Sequence, residues 1–169
     1  MQLRIPGPTP CPDNVLQAVS GQMVNHRGKQ FGELMEHVTY RLKEVFQTEG
    51  DVYVLSASGT GGMEALVVNS LSPGDRVLAV STGAFGERFG DIAKAYGASV
   101  NRLNFEWGQA ADPDAVRQAL KEDQAVKAVL LTHNETSTGV TNDLQSLAAV
   151  AKEFDKLVLV DAISSLGSI

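Results

Sequence analysis

Hydroxyl-bearing residues, glycines and a carboxylate gather in four stretches, each directly after a short apolar run: 56–62 (SASGTGG), 81–86 (STGAFG), 132–139 (THNETSTG) and 161–165 (DAISS). The first could bind a phosphate, because amides at a helix start and the hydroxyls of Ser58 and Thr60 donate hydrogen bonds to anions. It has no Walker A lysine, and Glu64 stands where a dinucleotide fingerprint needs glycine. A serine N-cap followed by a glycine turn is the alternative interpretation.

The fourth stretch begins with Asp161, which ends the apolar run 157–160. A carboxylate at the rim of a buried sheet needs a cationic or hydrogen-donating partner, and a protonated pyridine nitrogen is one. The alternative is that Asp161 caps whatever follows. Phe85 could equally be a core residue, and 132–134 a polar turn. His133 has no metal-ligand spacing to a second ligand, so we expect no metal site.

The elements that position these stretches are short Val/Leu-rich strands alternating with helices. Strands are predicted at 52–56, 77–80, about 99–104, 126–131 and 157–160, and helices at 61–71, 85–96, 114–121 and 143–154. Repeated βα units predict an α/β fold with a mostly parallel sheet covered by helices on both faces. The carboxyl ends of parallel strands lie at one edge, so we expect the four stretches to meet there.

The first part of the chain has a different pattern. Prolines at 6, 8, 10 and 12 predict an extended segment, and a short helix is predicted from Val15 to about Met23. Apolar residues at three- and four-residue spacing then predict an amphipathic helix over 31–46. The predicted domains are 1–24, an extended segment with a short helix, and 25–169, the α/β part.

Composition narrows the function classes. The 169 residues are 43% hydrophobic with a net charge of −6, which suits one soluble domain and argues against nucleic-acid binding. The single cysteine, Cys11, excludes an internal disulfide. No apolar run is long enough to span a bilayer and no signal peptide is recognisable, so we expect a cytoplasmic protein that binds no membrane. An organelle signal at a missing C-terminus is left open.

Four motifs in order resemble a known family: PGPTP at 6–10, SGTGGMEA at 58–65, THNETSTG at 132–139 and VDAISSLG at 160–167. The sequence is similar to the class V pyridoxal-phosphate aminotransferases, in the branch of the alanine–glyoxylate, serine–glyoxylate and serine–pyruvate enzymes. The resemblance implies a fold-type I large domain. It also implies transfer of an amino group from alanine or serine to a 2-oxo acid such as glyoxylate or pyruvate, with pyridoxal 5′-phosphate as cofactor.

The resemblance also implies roles for individual residues. Ser58, Gly59 and Thr60 would hold the cofactor phosphate, while Phe85 and Ile163 would pack on the two faces of the pyridine ring. These contacts would hold the ring perpendicular to the bond that is broken.

Two further residues would contact the polar atoms of the ring. Thr136 matches a hydroxyl residue near the phenolic oxygen, and Asp161 would pair with the pyridine nitrogen. A protonated nitrogen makes the ring an electron sink for the substrate's α-carbon.

The resemblance also implies what this chain lacks. The family's Schiff-base lysine lies after VDAISSLG, beyond Ile169, and Lys152 and Lys156 do not fit the motif. We therefore expect an N-terminal portion, without the C-terminal small domain, of an enzyme that forms a homodimer. Alternatives are a cysteine desulfurase-like lyase, against which Phe85 argues because those enzymes have a stacking histidine, and a non-catalytic fragment that only binds a partner chain.

Overall fold

The computed structural model describes residues 3–169, which form two compact units, one ending at Leu55 and the other running Ser56–Ile169. The predicted domain boundary after residue 24 stays a prediction, and the first two residues of the predicted 1–24 segment lie outside the described residues. No helix in the described range is long and apolar enough to cross a membrane.

The first unit contains two helices, α1 (Asp13–Val19) and α2 (Lys29–Phe46). The prediction of α2 is confirmed. Helix α1 begins two residues before its predicted start and ends four residues before its predicted end. The Ser20 hydroxyl donates to the Gln17 carbonyl at 2.9 Å, and Met23 is 95% exposed, so no packing extends the helix.

The prediction of a strand at 52–56 is wrong. These residues form no strand, and Tyr53 is 80% exposed. An extended segment becomes a strand only when a neighbouring strand accepts its backbone hydrogen bonds. The described part of the first unit contains no strand that could do so.

The second unit alternates helices and strands in the predicted order. Its elements are α3 (Gly59–Ser70), β1 (Arg76–Ser81), α4 (Ala84–Ala95), β2 (Ser99–Asn104), α5 (Pro113–Glu122), β3 (Val126–Thr132), β4 (Asn134–Glu135), β5 (Val140–Thr141), α6 (Leu144–Glu153) and β6 (Leu157–Asp161).

Four of the strands form a parallel sheet in the order β2-β1-β3-β6. The antiparallel pair β4–β5 is an addition that the sequence analysis missed. Strands of two residues are too short for a periodic pattern to appear in the sequence.

Both faces of the sheet are covered, as the continuous apolar strands predict. On one face Leu78 and Val80 pack with residues of α5 and α6, and on the other Val77 and Ala79 pack with residues of α3 and α4. Successive side chains of a strand point to opposite faces, so one apolar run supplies both cores. The result is a sheet with both faces covered, whose carboxyl edge carries the stretches that begin at the ends of β1, β3 and β6.

Local signals at the helix starts explain where the covering helices begin. The Asp112 carboxylate accepts the amide of Asp114 at 2.9 Å, and Pro113 takes the first position of α5. The Asp143 carboxylate accepts the amide of Ser146 at 3.0 Å at the start of α6. Side-chain caps of this kind satisfy amides that have no partner within the helix.

Candidate functional site

The start of α3 is an open set of hydrogen-bond donors. Ser58 is the N-cap, and its hydroxyl oxygen accepts the amide of Gly61 at 3.3 Å. The amides of Gly59 and Thr60 have no acceptor among residues 3–169. The predicted cap is therefore present, and it does not compete with anion binding, since a serine hydroxyl that accepts one bond still has its own hydrogen to donate.

The loop after β6 lies directly over this helix start. A Cβ placed on Gly59 would lie 2.4 Å from Cδ1 of Ile163, so only glycine leaves room for that side chain in its present position. Ile163 itself is 60% exposed. The first and fourth stretches of the sequence, about a hundred residues apart, are thus in contact at the carboxyl edge of the sheet.

Arg88 connects the first stretch to the second. Its Nη1 donates to the Thr60 hydroxyl at 3.4 Å, and its guanidinium carbon lies 4.8 Å from the centroid of the Phe85 ring. A guanidinium over an aromatic ring is a favourable cation–π arrangement. Phe85 is half-buried and lies in the first turn of α4, so the predicted stacking residue is close to the predicted phosphate residue.

Ser164 joins the third stretch to the fourth. The Thr136 hydroxyl and the Asn134 amide group each donate to the Ser164 hydroxyl at 2.9 Å, and Ser164 donates to the Asn134 carbonyl at 3.0 Å. Thr136 therefore lies beside the loop that follows Asp161, and its role near a cofactor ring stays a prediction.

Asp161 is a buried carboxylate with few partners. It is 6% exposed, and its Oδ1 accepts the amide of Ile163 at 3.0 Å. Burial raises the pKa of the Asp161 carboxyl, the hydrogen bond from Ile163 opposes this, and the charge of Glu135 raises that pKa further. The hydroxyl of Thr132, paired with Asp161 in the sheet register, is buried without a partner among the described residues. This corner favours a ligand that brings a positive charge.

Lys152 and Lys156 both precede β6, whereas Asp161 ends it. The Lys156 amine donates to the Gln124 carbonyl at 2.8 Å, next to the amino end of β3, and Lys152 is exposed in the last turn of α6. The amino and carboxyl ends of a parallel strand lie at opposite edges of the sheet, so both lysines start from the edge away from Asp161.

Three polar residues that connect the stretches were missed by the sequence analysis: Arg88, Glu135 and Ser164. The signal for Glu135 was present, because it is the only acidic residue in THNETSTG and it follows a strand that is buried from Ala128 to Thr132. Each of the three also has a partner 28 to 50 residues away along the chain, and no local pattern identifies these long-range contacts.

The two ends of this arrangement have opposite electrostatic character. Free amides and the helix dipole at α3 favour an anion, and the buried carboxylate of Asp161 favours a cation. Pyridoxal 5′-phosphate has a phosphate at one end and a basic ring nitrogen at the other, so the residues present fit that cofactor. The half-buried Phe85 and the exposed Ile163 offer apolar surface for its ring.

Comparison with known proteins also indicates a pyridoxal-phosphate enzyme family. The family model for aminotransferase class-V matches residues 3–169. A soluble hydrogenase 42 kDa subunit of Anabaena cylindrica is 47% identical and matches over 99% of this chain and 45% of its own length. The serine–glyoxylate aminotransferase of Methylorubrum extorquens is 39% identical over 99% of this chain and 43% of its own length.

Among solved structures, the crystal structure of alanine–glyoxylate aminotransferase from Nostoc sp. superposes with a TM-score of 0.93. It is 37% identical, and the match covers 98% of this chain and 44% of that one. The chain thus spans less than half the length of these relatives. Its fold, its motifs and the family match agree, and the chain belongs to the aminotransferase class-V family.

Proposed function

We propose that the described residues form the cofactor-binding part of a pyridoxal-phosphate-dependent aminotransferase. The observation that carries the proposal is the contact of Ile163 with Gly59, because it joins the open amides of α3 to the loop that bears the under-partnered Asp161. An anion site and a cation site at one edge of the sheet match the two polar ends of the cofactor.

Each residue has a distinct task in this proposal. The amides of Gly59 and Thr60 and the Ser58 hydroxyl bind the phosphate. Asp161 holds a proton on the ring nitrogen, and Thr136, whose hydroxyl donates to Ser164, lies near the phenolic oxygen. The bound cofactor supplies an electron sink for the amino acid's α-carbon.

The apolar residues restrict how the ring can lie. Phe85 and Ile163 pack on its two faces and exclude water from them, which preserves the strength of the ion pair between Asp161 and the ring nitrogen.

We propose that a lysine beyond Ile169 completes the site, as the family resemblance implies. Domains 1–24 and 25–169, dimerisation and a cytoplasmic location remain part of this proposal.

The proposed reaction moves the amino group of alanine or serine to a 2-oxo acid, with glyoxylate as the first acceptor to test and pyruvate as the second. Glyoxylate stands in the names of both aminotransferases compared above, and their amino donors differ. Phe85 argues against a desulfurase-like lyase, since the sequence pattern of those enzymes has a histidine there. A non-catalytic role in binding a partner chain is the remaining alternative.

The test is Asp161→Asn in the full-length protein. The substitution keeps the size of the side chain and removes its charge, so pyridoxal phosphate should still bind while alanine–glyoxylate transamination falls by about 100-fold or more. The measurements are the cofactor Kd, by fluorescence titration, and single-turnover rates.

Asp155→Asn is the matched control. Asp155 is exposed and has a φ of 56°, a left-handed conformation that asparagine tolerates well. The control should keep the parent rate. A rate within a few-fold of the parent in Asp161→Asn would remove the proposed pairing, and a full-length protein that binds no cofactor would favour the partner-binding alternative.

A further inference from the structure

Glu135 is a fully buried carboxylate at the carboxyl edge of the sheet, with 0% exposure. Its Oε2 accepts the amides of Phe85 and Gly86 at 3.1 and 3.0 Å. Its Oε1 accepts the amide and the hydroxyl of Ser137 at 3.1 and 2.7 Å. The carboxylate therefore links β4 to the first turn of α4, about fifty residues earlier in the chain.

Every partner of this carboxylate is a hydrogen-bond donor. A carboxylate accepts at both oxygens, whereas a glutamine side chain would turn an NH₂ group toward at least one of these donors. Donor facing donor in a buried position leaves both groups unsatisfied. The position therefore requires an acceptor in place of each carboxylate oxygen, and a glutamine side chain provides only one.

The neighbouring backbone is shaped around Glu135. A Cβ on Gly83 would lie 2.6 Å from Cγ of Glu135 and 2.5 Å from the Ser137 hydroxyl oxygen. The same Ser137 hydroxyl accepts the amide of Ala84 at 3.0 Å. The first three amides of α4 are thus bound by two side chains of the segment 135–137, and Gly83 gives them the space to approach.

We propose that Glu135 is a positioning residue for the cofactor site: its carboxylate fixes the first turn of α4 and thereby the placement of the Phe85 ring. The inference rests on the proposed function, in which Phe85 stacks on the cofactor. Thr136 follows Glu135 in the chain and is hydrogen-bonded to Ser164. The segment 135–137 therefore aligns Phe85 with the loop that follows Asp161.

The first test needs no cofactor. In Glu135→Gln, hydrogen exchange at the amides of Phe85 and Gly86 should become about tenfold faster or more, because these amides then face either an NH₂ group or a neutral oxygen, which accepts more weakly than a carboxylate oxygen. The amide of Leu130, in the buried centre of β3, should keep its protection. Glu87→Gln is the matched control, since Glu87 lies in the same first turn and is exposed; it should leave both rates unchanged.

The second test uses the full-length protein with pyridoxal phosphate. Glu135→Gln should raise the cofactor Kd by about tenfold and weaken the visible circular dichroism per bound cofactor, because the ring is held less firmly. Glu87→Gln should match the parent in both measurements. Should Glu135→Gln fail to fold, Ser137→Ala removes one donor to the carboxylate and the acceptor of the Ala84 amide, and it should change the same quantities in the same direction by less.

Three outcomes would overturn the inference. Exchange at Phe85 and Gly86 equal to the parent would show that Glu135 does not hold these amides. Faster exchange throughout the sheet, with unchanged Kd and circular dichroism per folded molecule, would mean a role in stability alone. Local loosening with unchanged cofactor binding would separate Glu135 from the site. If the parent itself binds no pyridoxal phosphate, the proposed function fails, whereas the exchange experiment still reports on the backbone.

Discussion

Two helices of the second unit begin at the carboxyl edge of the sheet, and their first turns differ. At α3 the amides of Gly59 and Thr60 have no acceptor in the described chain, while at α4 the segment 135–137 binds the first three amides. Both helix starts carry the same partial positive charge. Only the open one can take an external anion, so the internal hydrogen bonds decide which helix serves the ligand.

The same contrast holds for the two buried carboxylates near these helices. Glu135 accepts from three amides and a hydroxyl, whereas Asp161 accepts from one amide. A buried carboxylate with all its acceptors used is a structural anchor, and one with acceptors to spare has capacity for a ligand. The difference in partners therefore separates Glu135, an anchor within the fold, from Asp161, the residue that we propose faces the cofactor.

The largest expected effect comes from blocking the unbound amides at the start of α3. Gly59→Val in the full-length protein places a branched side chain where an anion must approach the backbone, so we expect pyridoxal-phosphate affinity to fall by about 100-fold. Stability should change little, because the clashing Ile163 is 60% exposed and can turn away. Fluorescence titration and urea unfolding measure the two quantities.

Gly62→Val is the control for that experiment. Gly62 lies in the same first turn of α3, and a Cβ there meets no atom within 4 Å. It should bind the cofactor as the parent does. Equal affinities for Gly59→Val and the parent would show that the open amides are not the phosphate site.

Disturbing the first turn of α4, whose amides are already bound by the segment 135–137, should mainly lower the free energy of unfolding. In Gly83→Ala the added methyl group would lie within 2.6 Å of Glu135 and Ser137 atoms, so the segment 135–137 must move away from α4. We expect a loss of about 1–3 kcal/mol in the free energy of unfolding, the usual cost of forcing atoms into a packed site. Urea denaturation measures it, with Gly62→Ala as the comparison. A loss no greater than that of Gly62→Ala would mean that the contact is loose.

Removing the cap of the open helix should have a smaller effect. Ser58→Ala loses the acceptor of the Gly61 amide, and N-cap substitutions of this kind cost about 1 kcal/mol of stability. Phosphate binding should weaken by about fivefold, because one donor out of several is lost. Ser56→Ala, an exposed serine just before the cap, is the control and should change neither quantity. An unchanged cofactor Kd in Ser58→Ala would restrict Ser58 to the capping role.

The smallest effect concerns Asp161 in the cofactor-free protein. Since burial raises the pKa of this carboxyl above its ordinary value of 3.8, the folded protein binds the proton more tightly than the unfolded chain does. Stability contributed by this group therefore falls as pH rises from that ordinary value to the raised one, and the penalty remains above it.

Asp161→Asn has no such penalty. The cofactor-free variant should be slightly more stable than the parent at neutral pH, and the advantage should shrink as the pH falls toward the ordinary pKa of aspartate. Unfolding midpoints across acidic and neutral pH measure the difference, with Asp155→Asn as control. A variant that is less stable at neutral pH than in acid, relative to the parent, would show that Asp161 already has a charge-stabilising partner in the fold.

Local sequence patterns are enough to predict the βα order, the parallel sheet and the positions of most elements to within about two residues. It could do so because apolar runs such as 157–160 and caps such as Asp112 are local signals, read over a few neighbours. It also identified Asp161 as a carboxylate at the rim of the sheet, since a charged residue that ends an apolar strand has nowhere else to lie.

Tertiary packing, in contrast, determines which helix start is open and which extended segments pair as strands. The segment 52–56 has a strand-like composition, but whether it forms a strand depends on a neighbour that no local pattern specifies. Likewise, the amides of α4 are bound by Glu135 from about fifty residues away, while those of α3 are not. Hydrogen bonds over that distance along the chain depend on how the elements pack, and packing brings together residues whose separation in the sequence carries no signal.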